Sequence, residues 1–285
     1  MRNTFIVPLP NGRSLELGRR TLVMAIVNVT PDSFADGGVR FDPDVAIRDA
    51  LAMVDQGADI IDIGGESTRP GAPLVAAAEE LRRVLPVLEG LRGRIDVPIS
   101  IDTCKAEVAE RALDLGAAIV NDVSALTYDA ALAGVVARRK AAVVLMHNRG
   151  RSSDMYERAV YSDVPAEVTA ELAGRARAAE EAGIARDCII LDPGLGFAKR
   201  AEHTFAMLAG LSTLVALGYP VLSGPSRKSF LRSVAGGAPA SGRVWATAAA
   251  VTASILHGAH IVRVHDVAEM VQVARAADAI AGAEA

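Results

Sequence analysis

The sequence predicts an α/β protein built as a closed (β/α)8 barrel, with an N-terminal β-hairpin closing its bottom. Three observations lead there. Short, β-branched apolar runs alternate with longer stretches whose apolar residues recur three and four apart. The alternation repeats about eight times in 285 residues, which suits the roughly 250 residues of an eight-unit barrel. No G-x-G-x-x-G follows the first strand, which weakens the alternative, an open doubly wound sheet, in its dinucleotide-binding form. Composition sets outer bounds. With 51% apolar residues and a formal net charge of −4, the chain is unlike a disordered one and has no basic excess for nucleic acid. Apolar runs such as Ala141 to Met146 fall far short of the about 20 residues that span a bilayer. The opening MRNTFIVPLPNGRSLELG lacks the apolar centre of a signal peptide. The expectation is one domain over residues 1–285, no membrane, a cytoplasmic location, and free thiols at Cys104 and Cys188.

Taken in order, Phe5–Pro8 and Ser14–Leu17 flank Pro10-Asn11-Gly12, and Asn-Gly signals a hairpin. Strands are predicted at Val23–Asn28, Asp59–Ile63, Pro98–Asp102, Ala117–Asn121, Ala142–Met146, Cys188–Leu191, Pro220–Ser223 and His260–Arg263. Each is short and mostly apolar, as strands buried on both faces are. Helices are predicted at Pro43–Gln56, Ala77–Gly90, Lys105–Leu115, Asp129–Arg139, Val164–Ala182 and Val267–Ile280, with an extra one at Arg243–His257. Several end in a glycine, which enters the left-handed region without a Cβ clash. Trp245 lies on the extra helix and is read either as packing against a second subunit or as core within the chain.

Active sites of such barrels lie at the C-terminal ends of the strands. Here those ends carry Asn28; Asp62 with Glu66 and Arg69; Asp102; Asn121-Asp122; His147; Asp192; Ser226-Arg227-Lys228; and Arg263 with His265. Any one of these is explained by exposure, but eight polar ends in succession converge on one mouth. Converging acceptors and donors suit a flat polar heterocycle. The cations gathered at the seventh and eighth strands sit where barrels often bind phosphate. The long loop from Asn28 to Gly38, with Pro31, Asp32, Ser33, Phe34 and Asp36, reads as a lid or else as plain surface, and Gly64 to Gly71 is similar in character. Asp62 and Glu66 are candidate catalytic carboxylates, with the preferred reading of Asp62 a loop anchor that accepts backbone N–H groups. Cys104 has no histidine partner and reads as packing, and the histidines show no zinc-ligand spacing.

The segments "NVTPDSFADGG", "GADIIDIGGESTRPGA", "SIDT", "VNDVSAL", "LDPGLGF", "GPSRKSF" and "RVHDV" run from Asn28 to Val267. As a set, in this order, they resemble the dihydropteroate synthase family. The resemblance implies a TIM barrel that joins 6-hydroxymethyl-7,8-dihydropterin diphosphate to 4-aminobenzoate, giving 7,8-dihydropteroate and pyrophosphate. It implies that Asp102, Asn121 and Asp192 bind the pterin edges and that Lys228 contacts the pterin and the reaction centre. Asp102, Asp192 and Lys228 would be the catalytic groups. Met146 and Phe197 would pack near the pterin and the aminobenzoate. Asn28 would help hold Mg²⁺. Arg263 and His265, with Thr68 and Arg69, would hold the diphosphate, while Pro70, Phe34 and Ser229 shape the aminobenzoate pocket. Ser229, read as opening a helix, would offer its hydroxyl and that helix N-terminus to the carboxylate. A homodimer is also implied. The competing readings are a methyltetrahydrofolate-dependent methyltransferase, which needs no diphosphate site, and a pterin-binding paralogue without turnover.

Overall fold

The computed structural model describes residues 2–30, 42–69 and 71–283. The predicted lid residues Pro31, Asp32, Ser33, Phe34 and Asp36, and the pocket residue Pro70, lie outside the described residues. Strands β1 (Phe5–Pro8) and β2 (Ser14–Leu17) pair antiparallel, with Phe5 opposite Leu17 and Pro8 opposite Ser14. Their connection is longer than an Asn-Gly turn needs. Pro10–Gly12 forms a single 3-10 turn, and the Leu9 N–H donates to the Arg13 carbonyl at 2.8 Å. Pro10 fixes its own φ for a right-handed start, and Gly12 takes the φ of +75° that reverses the chain.

Eight parallel strands follow: β3 (Leu22–Asn28), β4 (Ile60–Gly64), β5 (Ile99–Asp102), β6 (Ile119–Asp122), β7 (Ala142–Met146), β8 (Ile189–Asp192), β9 (Leu222–Ser223) and β10 (Ile261–Val264). Their hydrogen-bonded order is β8-β7-β6-β5-β4-β3-β10-β9. The ring closes through a Leu191–Val221 bridge, where the Leu191 N–H donates to the Pro220 carbonyl at 2.9 Å. Pro220–Ser223 was expected as a strand, and only Leu222–Ser223 forms a ladder. Pro220 has no N–H, and that of Val221 is taken by Nδ1 of His260 at 3.1 Å. The other strand predictions hold within two residues.

The helices are α1 (Pro43–Asp55), α2 (Ala77–Leu91), α3 (Ala106–Asp114), α4 (Leu132–Arg139), α5 (Val164–Glu181), α6 (Ala201–Ala209), α7 (Leu211–Val215), α8 (Val244–Leu256) and α9 (Val267–Ala283). Asp42 caps α1 and Asp163 caps α5, each followed closely by a proline that tolerates the first turn. Sequence reading missed α6 and α7, although Phe205, Leu208, Leu211 and Leu214 stand at helical spacing. The helix read as extra, α8, is the one between β9 and β10, so it belongs to the seventh unit. Trp245 at its start is 81% exposed, so its ring does not pack into the core.

Strand alternation divides the core in two. Outward residues such as Val23, Ala25, Ile61, Ile63, Ile101, Val143, Leu145 and Val262 pack on the helices. Inward residues at the N-terminal ends, including Met24, Ile60, Ile119, Val144, Ile190 and Ile261, form a second apolar cluster. Val7, Leu9, Leu15 and Leu17 of the hairpin complete that cluster from below. The hairpin thus plugs the bottom, and the open end is the other one.

Candidate active site

The inward face changes character within one step of the alternation. Two residues beyond Ile60, Ile119, Ile190 and Ile261 stand Asp62, Asn121, Asp192 and Arg263. Asp102 ends β5 two residues after the buried Ser100. The strands therefore carry an apolar layer below and a charged layer above on the same face, because side chains two apart point the same way.

The charged layer is cross-linked. Nε of Arg263 donates to Oδ2 of Asp62 at 2.6 Å, and an Nη donates to Oδ2 of Asp102 at 2.7 Å. The Asn121 amide donates to the same Asp62 oxygen at 3.0 Å, leaving the other Asp62 oxygen buried without a partner among the described residues. The expectation that Asp62 anchors a loop through backbone N–H groups is corrected here: it binds two side chains inside the barrel. Asp122, on the opposite parity, is the loop anchor, accepting from the N–H groups of Ser124 at 2.8 Å and Leu126 at 2.6 Å. Two of the five N–H groups of Arg263 are spent on carboxylates, so three remain for a ligand.

Across the mouth, Asp192 accepts from the Gly194 N–H at 2.7 Å. Nζ of Lys228 donates to the Leu195 carbonyl at 2.5 Å and sits 4.4 Å from the centre of the Phe197 ring. Burial pulls the Lys228 ammonium down to about 8 against the opposing pull of Asp192. Burial raises Asp102 and Asp192 above the ordinary carboxylate range, with Arg263 the chief opposing charge for the first and Lys228 for the second. Three carboxyl groups (Asp62, Asp102, Asp192) face two basic ones (Arg263, Lys228), and with burial raising Asp102 to about 7 and Asp192 upward, a further positive charge at the mouth would draw both toward their ionised forms.

At the rim, Ser226 accepts from the backbone N–H of His265 at 3.1 Å and shares a 3.0 Å hydrogen bond with its Nδ1. With the Ser226 hydroxyl donating to Nδ1, the imidazole presents Nε2–H outward. Burial, with Arg263 and Arg227 beside it, pulls His265 down to about 3, so it is a neutral donor. Arg69 adds its positive field there. Arg227, counted among the cations of this rim, is paired with Asp266. The loop after β4 is held by Glu66, which with the fully buried Glu80 takes the Lys105 ammonium, and by a Gly71 N–H bond to the Ser152 carbonyl at 3.1 Å. Thr68 is half-buried on it.

Asp102, Asn121, Met146, Asp192, Phe197, Lys228 and Arg263 thus line one opening, and Arg69 and His265 stand at its edge. Ser229 differs from expectation. Residues Ser229–Arg232 make one 3-10 turn, so no helix N-terminus with a developed dipole stands there. Asn28 ends β3 beside Gly64. Cys104 and Cys188 are free, and burial pushes their thiols up to about 12 and 11, which leaves neither as a nucleophile. Sequence reading missed the pairing of Asp62 with Arg263, although Asp62 shares its parity with Ile60.

Comparison with known proteins places the chain in a family. Residues 24–265 match the model of the family described as pterin binding enzyme. A dihydropteroate synthase of Synechocystis sp. is 47% identical over 277 residues, covering 97% of this chain and 96% of that protein. Among solved structures, Xanthomonas albilineans dihydropteroate synthase with 4-aminobenzoic acid superposes with a TM-score of 0.89 at 43% identity, covering 96% and 98% of the two chains. The same enzyme with 7,8-dihydropteroate gives 0.85 at 40% identity, again over 96% and 98%. The family match over residues 24–265, with a relative 47% identical over 97% of the chain, makes the chain a member of the pterin binding enzyme family and, within it, of the dihydropteroate synthases.

Proposed function

We propose that the chain condenses 6-hydroxymethyl-7,8-dihydropterin diphosphate with 4-aminobenzoate to give 7,8-dihydropteroate and pyrophosphate. The observation that carries this is the mouth that brings Asp62, Asp102 and Asp192 together with Arg263 and Lys228. A pterin offers N–H donors along one edge and a carbonyl along another. Asp102, Asp192 and Asn121 take the first, and Lys228 takes the second, with Met146 below. Departure of the diphosphate leaves positive charge on the pterin methylene, spread into the ring. That charge draws Asp102 and Asp192 toward their ionised forms, and the carboxylates stabilise the cation where it forms. The arylamine, held near Phe197 and Ser229, then attacks, losing its proton as the C–N bond forms. The substitution is SN1-like, and no side chain becomes a covalent nucleophile.

The leaving diphosphate meets the three free N–H groups of Arg263 and the Nε2–H of His265, with Thr68 and Arg69 from the neighbouring loop. The donor set also fits Mg²⁺. Among the described residues no three His, Cys, Asp or Glu side chains gather as a metal cage. Asn28 offers one hard oxygen at the mouth, which suits an ion that keeps waters and binds through substrate phosphates. Bound there, the ion would neutralise charge on the leaving group. Purified protein incubated with the pterin diphosphate, 4-aminobenzoate and Mg²⁺ is expected to release dihydropteroate and pyrophosphate in equal amounts. Tight binding of both substrates without product would overturn the catalytic reading in favour of a binding paralogue.

A cytoplasmic location is proposed. Among the described residues no helix is long and apolar enough to cross a membrane. A homodimer is inferred through the start of α8, where the 81% exposed Trp245 is available to a second copy. Light scattering is expected to give twice the chain mass for the wild type and a raised dissociation constant for Trp245→Ser; identical masses for the two at micromolar concentration would remove this face from the interface.

A further inference from the structure

Lys199 is 1% exposed and outside the mouth, and burial pulls its ammonium down to about 7 against the opposing pull of Asp192. Its three donors meet three acceptors: the Gly194 carbonyl at 3.2 Å, the Phe197 carbonyl at 3.1 Å and Nδ1 of His147 at 2.8 Å. His147 is itself buried, and its Nε2 lies 3.0 Å from a Glu171 carboxylate oxygen. The arrangement fixes one tautomer, with Nε2–H donating to Glu171 and Nδ1 accepting from Lys199. Burial pulls His147 down to about 4, which keeps it neutral and able to accept. An apolar side chain would fill this space without the cost of burying a polar head, so the three hydrogen bonds answer a different need.

That need lies in the segment from Asp192 to Ala198. Gly194, Gly196 and Ala198 all have positive φ, +63°, +78° and +46°. A Cβ on Gly194 would come 2.0 Å from the His147 carbonyl oxygen, so the turn is also tightly confined. Such a path costs energy for Ala198 and holds only when its surroundings dictate it. Here side chains take each carbonyl in turn. Lys199 takes Gly194 and Phe197, Lys228 takes Leu195, Tyr156 reaches Gly196 at 3.5 Å, and the Tyr161 hydroxyl donates to Ala198 at 2.9 Å. Lys228 holds the segment from the mouth and Lys199 holds it from behind.

We propose that Lys199, oriented by His147 and Glu171, is a positioning residue that sets the Asp192–Phe197 segment in its binding geometry. This rests on the reading of Asp192 and Phe197 as substrate contacts. The test is Lys199→Met and Glu171→Gln, with Asp192→Asn as the check on that underlying reading. Exchange of the 194–198 amides, followed by mass spectrometry, is expected to rise at least about tenfold in Lys199→Met while β3 and α9 keep wild-type protection. Its kcat/KM for the pterin diphosphate is expected to fall by about 10²-fold, as misplacement from behind a site does. Glu171→Gln, a change at a half-exposed group, is expected to move both readouts the same way by a smaller factor, and it carries the test if Lys199→Met does not fold. Exchange and kcat/KM within twofold of wild type in a folded Lys199→Met, or in Glu171→Gln if that is the one that folds, would overturn the proposal. Should Asp192→Asn bind the pterin diphosphate normally, the substrate reading of the segment fails instead, whatever Lys199→Met shows.

Discussion

The chemistry of single residues depends on who shares their parity. Asp102 and Asp62 are both held by Arg263, so charge and orientation in the mouth are one problem. Asp102→Asn keeps the size of the side chain and removes its charge. It is expected to leave the melting temperature within a few degrees and to lower kcat by about 10²–10³-fold, the scale of losing one electrostatic contact in a water-poor site. Near-normal turnover in the folded variant would remove Asp102 from the electrostatic role. His265 shows how the tertiary setting alters a plausible assignment. Its position favours an anion, but in the free protein it is neutral, so it acts first as a hydrogen-bond donor.

At the scale of elements, the barrel is not uniformly tied. β3 and β4 pair over five residues, from Met24 with Ile60 to Asn28 with Gly64. Between β8 and β9 a single bridge does the same work. The two strands flanking that seam carry the Asp192 segment and the Lys228 turn, so the weakest pairing lies directly under two catalytic candidates. Native-state exchange is expected to show the Leu191 amide opening at least about tenfold more often than those of Ile61 and Ile63. Equal protection around the ring would contradict a weak seam. The clamps on the 194–198 carbonyls then supply locally the order that strand pairing does not.

Across the whole molecule, His260 joins the N-terminal segment to the barrel. Its Nδ1 accepts from Val221 and its Nε2 donates to the Asn3 carbonyl at 3.1 Å, with Phe5 packed edge-on against the ring. Burial pulls its pKa down to about 4 from the ordinary 6.5. The unfolded chain therefore binds a proton at this group between those values and the native state does not. Its contribution to stability is complete above pH 6.5 and is lost as pH falls toward 4. Other buried groups titrate as well, so the comparison is with His260→Gln. The wild-type advantage in urea unfolding is expected to shrink by about 2–3 kcal/mol between pH 7.5 and 4.5. An advantage that does not change with pH would show that the imidazole is not held neutral.

The sequence by itself determined the barrel, its bottom plug and the polar end of each strand, because all three are written in local periodicity. Alternation places Asp62, Asn121, Asp192 and Arg263 on the face that holds the isoleucines two residues earlier. The predicted lid, Pro31 to Asp36, stays a sequence-based expectation. Only the tertiary structure decided how the charges pair. Arg263 meets Asp62 and Asp102 across 201 and 161 residues, and no local pattern encodes a partner at that distance. The same holds for Lys199, one of whose acceptors is the residue that follows β7, and for Ser229, whose segment makes a 3-10 turn where a helix was expected. Ring closure brings distant strand ends within hydrogen-bond reach, and there burial and neighbouring charge fix each group's partner and protonation state.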